Sequence, residues 1–169
     1  KKDFKRYPKN HKRDLSILKN LKVNYLYLPK PKQVYDSRRV KKIQIKKKDK
    51  ILCAKYRKGH FEGVLDVMDR LTKRIKPKFI FMGIKDYQQL HLVKNFVEKK
   101  HRCKIVPCKT IRNSNKLALS SRNLLLSKKG KSKAEKLTKN LIKFKRNLKK
   151  FKDIQKAITL KKKELSQTY

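Results

Sequence analysis

Four consecutive apolar residues, Phe79-Ile80-Phe81-Met82, stand between two stretches of helical periodicity, and a second short apolar run, Cys103 to Val106, follows the later one. Phe61, Val64, Leu65, Met68, Leu71 and Ile75 recur at three- and four-residue steps and stop before Pro77, the pattern of an amphipathic helix ended by proline. Leu90, Val93 and Val97 trace a second apolar helix side that starts near Asp86, a residue able to cap it. Helix, strand, helix, strand in that order predicts an α/β fold with a parallel, doubly wound sheet, and the unbroken run 79–82 reads as a buried strand.

Around this centre the pattern predicts a helix from Asn10 to Leu21, with Leu15, Ile17, Leu18 and Leu21 as an imperfect apolar face. A strand is expected at Asn24–Leu28, stopped by Pro29 and Pro31, another at Lys42–Ile45 from its alternation, and a short extended piece at Ile51–Tyr56. From Ser127 onward only helical periodicity is left: Ala134, Leu137, Leu141, Phe144 and Leu148 trace one face, and a further helix is expected over about Lys152–Ser166. Two regions follow: 1–125, a partial α/β domain, and 126–169, mainly helical.

The chain leaves the first strand through Gly83-Ile84-Lys85-Asp86-Tyr87-Gln88-Gln89. The carboxyl end of a strand is where α/β proteins place polar groups around a ligand. Lys85 offers an ammonium to a phosphate that gains charge during reaction, Asp86 can hold ribose hydroxyls or cap the helix, and Gln89 shares a helix face with Asp86. Leu117-Ala118-Leu119-Ser120-Ser121-Arg122-Asn123 sets two hydroxyls and a guanidinium on consecutive positions, donors suited to a triphosphate or to a polar turn. In Arg57-Lys58-Gly59-His60-Phe61-Glu62-Gly63-Val64, His60 sits at a helix start and reads as structural ahead of catalytic, while Glu62, Asp66 and Asp69 read as that helix's solvent face.

Composition separates the function classes. The 169 residues hold 53 Lys+Arg and 12 Asp+Glu, a formal net charge of +41, a balance that ordinarily points to a polyanion. The charges, however, are spread evenly and are mostly Lys, a point charge poorly suited to bidentate readout. Such a spread fits a solvated surface or a biased genome better than a nucleic-acid groove. A basic nucleic-acid-binding protein is the alternative, its binding then sequence-independent and lost steeply with salt. The basic tail reads as a helix docked on the core rather than on RNA or a membrane. Three cysteines make no disulfide framework and fit a reducing cytoplasm. His101, Cys103 and Cys108 match no standard zinc spacing, so no metal site is expected. No apolar stretch is long enough to span a membrane, and no signal peptide pattern opens the chain.

Together these segments resemble the pantothenate synthetase (pantoate–β-alanine ligase) family. Arg6-Tyr7-Pro8 is similar to its Arg-Tyr-Pro element, Arg57–Val64 to its Arg-Pro-Gly-His-Phe-x-Gly-Val segment, Gly83–Gln89 to Gly-Glu-Lys-Asp-Tyr-Gln-Gln, and Leu117–Asn123 to Leu-Ala-Leu-Ser-Ser-Arg-Asn. Order and separation agree over about residues 3–130. The resemblance implies a nucleotidylyl-transferase-like (Rossmann-like) sheet, present in part, followed by the helical start of a C-terminal subdomain. It also implies a two-step reaction: pantoate and ATP give pantoyl adenylate and pyrophosphate, and β-alanine then displaces AMP. Carried over, Gly83, Ile84, Lys85 and Asp86 hold ATP, Ile111 lies against adenine, and Leu119, Ser120, Ser121 and Arg122 close on the nucleotide. Lys85, Ser121 and Arg122 are then the catalytic set, Gln89 binds pantoate and Tyr7 approaches the site's rim. The resemblance also implies Mg2+ held through the ATP phosphates and, for the complete enzyme, a cytoplasmic homodimer.

Three substitutions depart from the family pattern: Ile84 replaces a Glu, Lys58 a Pro and Asp66 a Thr. Neither the family's His-x-Gly-His motif nor its Asn-Pro-x-Gln-Phe segment occurs in the 169 residues. Residue 1 is Lys rather than Met, and the strand signals of the C-terminal subdomain are missing. A piece of an enzyme, cut at both ends and without ligase activity alone, is expected.

Overall fold

A parallel pair of strands forms where the two apolar runs predict it. β1 (Phe79–Gly83) lies beside β2 (Lys104–Cys108), from Phe79 opposite Lys104 to Gly83 opposite Cys108. The computed structural model describes residues 8, 10–35 and 43–168; Tyr7 and most of the Arg-Tyr-Pro element lie outside them. The chain divides into two compact units, Asn20–Thr110 and Lys1–Lys19 with Ile111–Tyr169. Among the described residues the α-helices are, in chain order, α1 (His11–Asn20), α2 (Pro31–Val34), α3 (Cys53–Tyr56), α4 (His60–Ile75), α5 (Tyr87–Lys100), α6 (Lys128–Asn147) and α7 (Ile154–Thr168).

Within 20–110, β1, α5 and β2 make a βαβ unit, the connection that parallel strands require. The core joins Phe61 and Leu65 of α4, Leu90, Leu92, Val93 and Val97 of α5, and Cys103 and Ile105 beside or on β2, with Ile45 and Ala54 from the preceding segment. Val93 and Val97 are completely buried, one helical turn apart on the face α5 turns inward.

β1 is not the buried strand expected from its sequence. Ile80 and Met82 are half-buried against the core, but Phe79 and Phe81 are 55% and 70% exposed. With two strands among the described residues and helices packed on one side, alternate side chains face outward. The expected strands at 24–28 and 43–45 are irregular, because among the described residues neither has a ladder partner. The alternation at 43–45 is nevertheless real, since Ile43 and Ile45 pack on the core and Gln44 is exposed. The extended piece expected at 51–56 is instead a turn leading into α3, with Ile51 and Leu52 exposed.

In the other unit Asn10 starts α1 by accepting from the Arg13 amide through its side chain (3.0 Å). No α1 residue is buried, so the expected apolar face is uncovered among the described residues. Ser127 caps α6 by accepting from the Gly130 amide (3.0 Å), and Asp153 does the same for Lys156 ahead of α7 (2.9 Å). Phe144 meets Phe151 at 5.9 Å between ring centroids, and Asn140 donates to Glu164 (3.2 Å), tying α6 to α7. No described helix is long and apolar enough to cross a membrane.

Candidate functional site

Gly83 ends β1, and a single 3-10 turn, Ile84–Asp86, carries the chain into α5. This turn holds Lys85 and Asp86 at the carboxyl edge of the strand pair, both exposed. Asp86 occupies the N-cap position of α5 but makes no side-chain cap hydrogen bond, contrary to the capping role open to it from sequence. Its backbone (φ −95°, ψ 62°) departs from the extended geometry in which a cap carboxylate folds back on the helix amides. The carboxylate therefore stays available to a ligand's hydroxyls. Gln89, two residues into α5, is half-buried.

Ile111 and Leu119–Arg122 lie in the other unit, where a tight hairpin brings them together. Arg112 and Ala118 form an antiparallel bridge, and the Leu119 amide donates to the Ile111 carbonyl (3.0 Å). Asn113 closes the loop: its carboxamide oxygen accepts from the Leu117 amide (2.9 Å), and its amide group donates to Glu135 (2.9 Å). Ser120 accepts from the Arg122 amide (3.3 Å) and so starts the 3-10 turn Ser121–Leu125, while Asn123 donates to the Ala118 carbonyl (3.0 Å). Sequence reasoning treated Ile111 and the Ser-Ser-Arg run separately. Asn113 and Asn123, which lock that loop, were missed, although asparagines flanking a turn are a usable signal.

His60 is the first residue of α4, preceded by Gly59 in the left-handed region (φ 75°), where a side chain would be strained. Its ring packs on Phe61 (centroids 4.9 Å apart). Burial, with a smaller push from the Arg57 charge, holds the imidazole below its ordinary 6.5, against a weaker opposing pull from Glu62. We expect histidine NMR titration to show His60 changing charge below 6.5; a value at or above 6.5 contradicts this packing. The folded chain gains nothing from His60 above 6.5, where the ring is neutral in both states. As pH falls through 6.5 the unfolded chain protonates first, so the fold loses stability until the lower folded value is passed.

The polar side of α4 is not the solvent face its sequence suggests. Asp69 is 3% exposed and accepts from Lys100 (2.8 Å) and pairs with His101 Nε2 (2.7 Å) just beyond α5. Asp66 pairs with Arg70 (3.1 Å), and Arg70 donates onward to the Val34 carbonyl (3.3 Å) and lies over the Tyr35 ring. Arg74 donates to the Tyr27 hydroxyl (3.0 Å). These contacts hold segment 27–35 and the end of α5 on a side that is polar and only partly solvated, with Asp69 buried within it. Among the described residues no group of His, Cys, Asp and Glu is arranged to hold a metal ion.

Comparison with known proteins bears on the family and the fold. The family described as pantoate-beta-alanine ligase matches residues 1–169. Pantothenate synthetase of Campylobacter hominis is 39% identical over 138 residues, covering 81% of this chain and 50% of the relative. The chain thus spans about half the length of the curated relatives it matches. Among solved structures, pantothenate synthetase of Thermus thermophilus superposes with a TM-score of 0.87 at 29% identity, covering 98% of this chain and 60% of that one. Pantoate-beta-alanine ligase of Francisella tularensis, solved with β,γ-ATP and β-alanine, has a TM-score of 0.76 at 36% identity and covers 82% and 54%.

Proposed function

The chain belongs to the pantoate-beta-alanine ligase family, and from that membership we propose that its full-length gene product joins pantoate to β-alanine through a pantoyl adenylate, at the expense of ATP. The observation that carries this is the exit of β1: an exposed ammonium and an uncapped carboxylate side by side at the carboxyl end of a parallel strand pair.

The chemistry follows from charge. A pantoate carboxylate attacks the α-phosphorus of ATP, pyrophosphate leaves, and negative charge grows on the phosphate oxygens. Lys85 meets that charge without moving a proton, and a preorganised ammonium stabilises the transition state more than the ground state. Asp86 accepts from ribose hydroxyls. Gly83 and Ile84 line the nucleotide, and Ile84, where the family carries Glu, leaves the Lys-Asp pair as the polar element of this turn. Gln89 orients pantoate through its amide. By the family resemblance, Ile111 and Leu119 serve the adenine end, and Ser120, Ser121 and Arg122 serve the phosphates. Mg2+ travels on the ATP phosphates. In the second step the β-alanine amine attacks the acyl carbon and AMP departs. A cytoplasmic homodimer goes with this function; the three cysteines are free thiols, as a reducing compartment favours.

The test is pantothenate formation from pantoate, β-alanine and MgATP, run on the full-length gene product and on the 169 residues alone. Product from the former confirms the reaction; absence of both pyrophosphate and pantothenate there overturns it. Within that assay Gln89→Ala is expected to raise the pantoate requirement first, with maximal velocity less affected, because a substrate contact is lost. An unchanged pantoate KM would remove Gln89 from the site.

A further inference from the structure

Between the substrate-facing residues Lys85, Asp86 and Gln89 lies one the proposed mechanism leaves unused. Gln88 reaches away from them, across to the segment that precedes α3. Its side-chain amide donates two hydrogen bonds to main-chain carbonyls, Asp49 at 3.2 Å and Ile51 at 2.8 Å. Its own carbonyl oxygen is buried with no partner among the described residues. The orientation follows from the neighbours, since turning the amide over would set that oxygen against two carbonyl oxygens.

The segment it grips is held in an unfavourable shape. Leu52 has φ 50° and ψ −127°, and the Ala54 amide donates to the Ile51 carbonyl at 3.0 Å. That is the first central position of a type II′ turn, a place for glycine. The Leu52 side chain is 67% exposed, so packing does not compensate for the strain. Strain of this kind persists only where the surroundings over-determine the backbone, and the Gln88 donation to Ile51 is one such restraint. On the other side of the contact, the first turn of α5 has no side-chain cap, because Asp86 does not fold back. The first turn of α5 is thus tied down by Gln88 rather than by its cap. Gln88 and Gln89 are neighbours about 100° apart around the helix, so fixing one fixes the direction of the other.

We propose that Gln88 is a positioning residue of the ligase: by strapping the 49–52 turn to the start of α5 it sets the angle at which Gln89 meets pantoate. This rests on the ligation reaction proposed above. The experiment compares Gln88→Glu and Gln88→Met with the parent in the full-length gene product, following pyrophosphate release against pantoate and against ATP, with thermal unfolding alongside. Gln88→Glu keeps the shape but sets oxygen against both carbonyls; Gln88→Met removes the donors without repulsion. The expected result is a rise in pantoate KM of roughly tenfold or more, larger for Glu than for Met, with ATP KM little changed. A strap that only stabilises the fold would lower the unfolding temperature or the active fraction and leave the pantoate KM where it was, and that result overturns the inference. Failure of both variants to fold also overturns it, since Gln88 is then structural alone. A parent that releases no pyrophosphate with pantoate and ATP rejects the ligase reaction itself, and the inference with it.

Discussion

Replacing Lys85 with alanine in the full-length gene product is expected to slow adenylate formation by about 10²–10³, or about 2.7–4 kcal/mol of transition-state stabilisation, while ATP binding weakens far less. Lys85 sits exposed in the 3-10 turn directly after β1, so its loss should leave the structure intact. In the proposed reaction the ammonium acts on charge that develops as pyrophosphate departs, and an interaction made chiefly in the transition state appears in the rate rather than in the binding constant. Pyrophosphate release at saturating pantoate reads the first step alone. Equal rates for Lys85→Ala and the parent would take Lys85 out of the mechanism.

The second large effect is on stability and concerns Asp69, whose partners Lys100 and His101 stand at the C-terminal end of α5. Asp69→Ala is expected to cost about 2–3 kcal/mol, because a buried carboxylate loses its hydrogen bonds to charged or chargeable partners and strands one of them. The Asp69 side chain is 4% exposed and the His101 side chain 16%, so neither is readily served by water once the other is gone. Lys100 is different. Its side chain is 51% exposed and returns to solvent, so Lys100→Ala should cost no more than about 1 kcal/mol. Urea unfolding of the two variants discriminates the cases. Equal, small losses would mean that Asp69 behaves as an ordinary surface ion pair and that α4 and the end of α5 are held by apolar packing alone.

Much of the α/β unit was legible in the chain because the signals are local. A four-residue apolar run, a glycine at its exit and two helix-period segments specify β1, α4, α5 and β2 to within a few residues, since hydrophobic periodicity and proline stops act over a few positions. Family membership was legible for the same reason: Gly83–Gln89 and Leu117–Asn123 are contiguous runs whose chemistry can be read in one dimension. The tertiary structure decided what depends on partners distant in sequence. Whether Asn24–Leu28 becomes a strand turns on a neighbour to share its hydrogen bonds, and among the described residues it has none. Whether Phe81 is buried turns on what covers its face of the sheet. Asp69 looked solvated because a carboxylate on a helix usually is, and it is buried because Lys100 and His101, thirty residues on, arrive to pair with it. Gln88 and Gln89 are identical letters side by side; a helical rotation sends the first to the 49–51 carbonyls, and only the fold distinguishes the strap from the residue it positions.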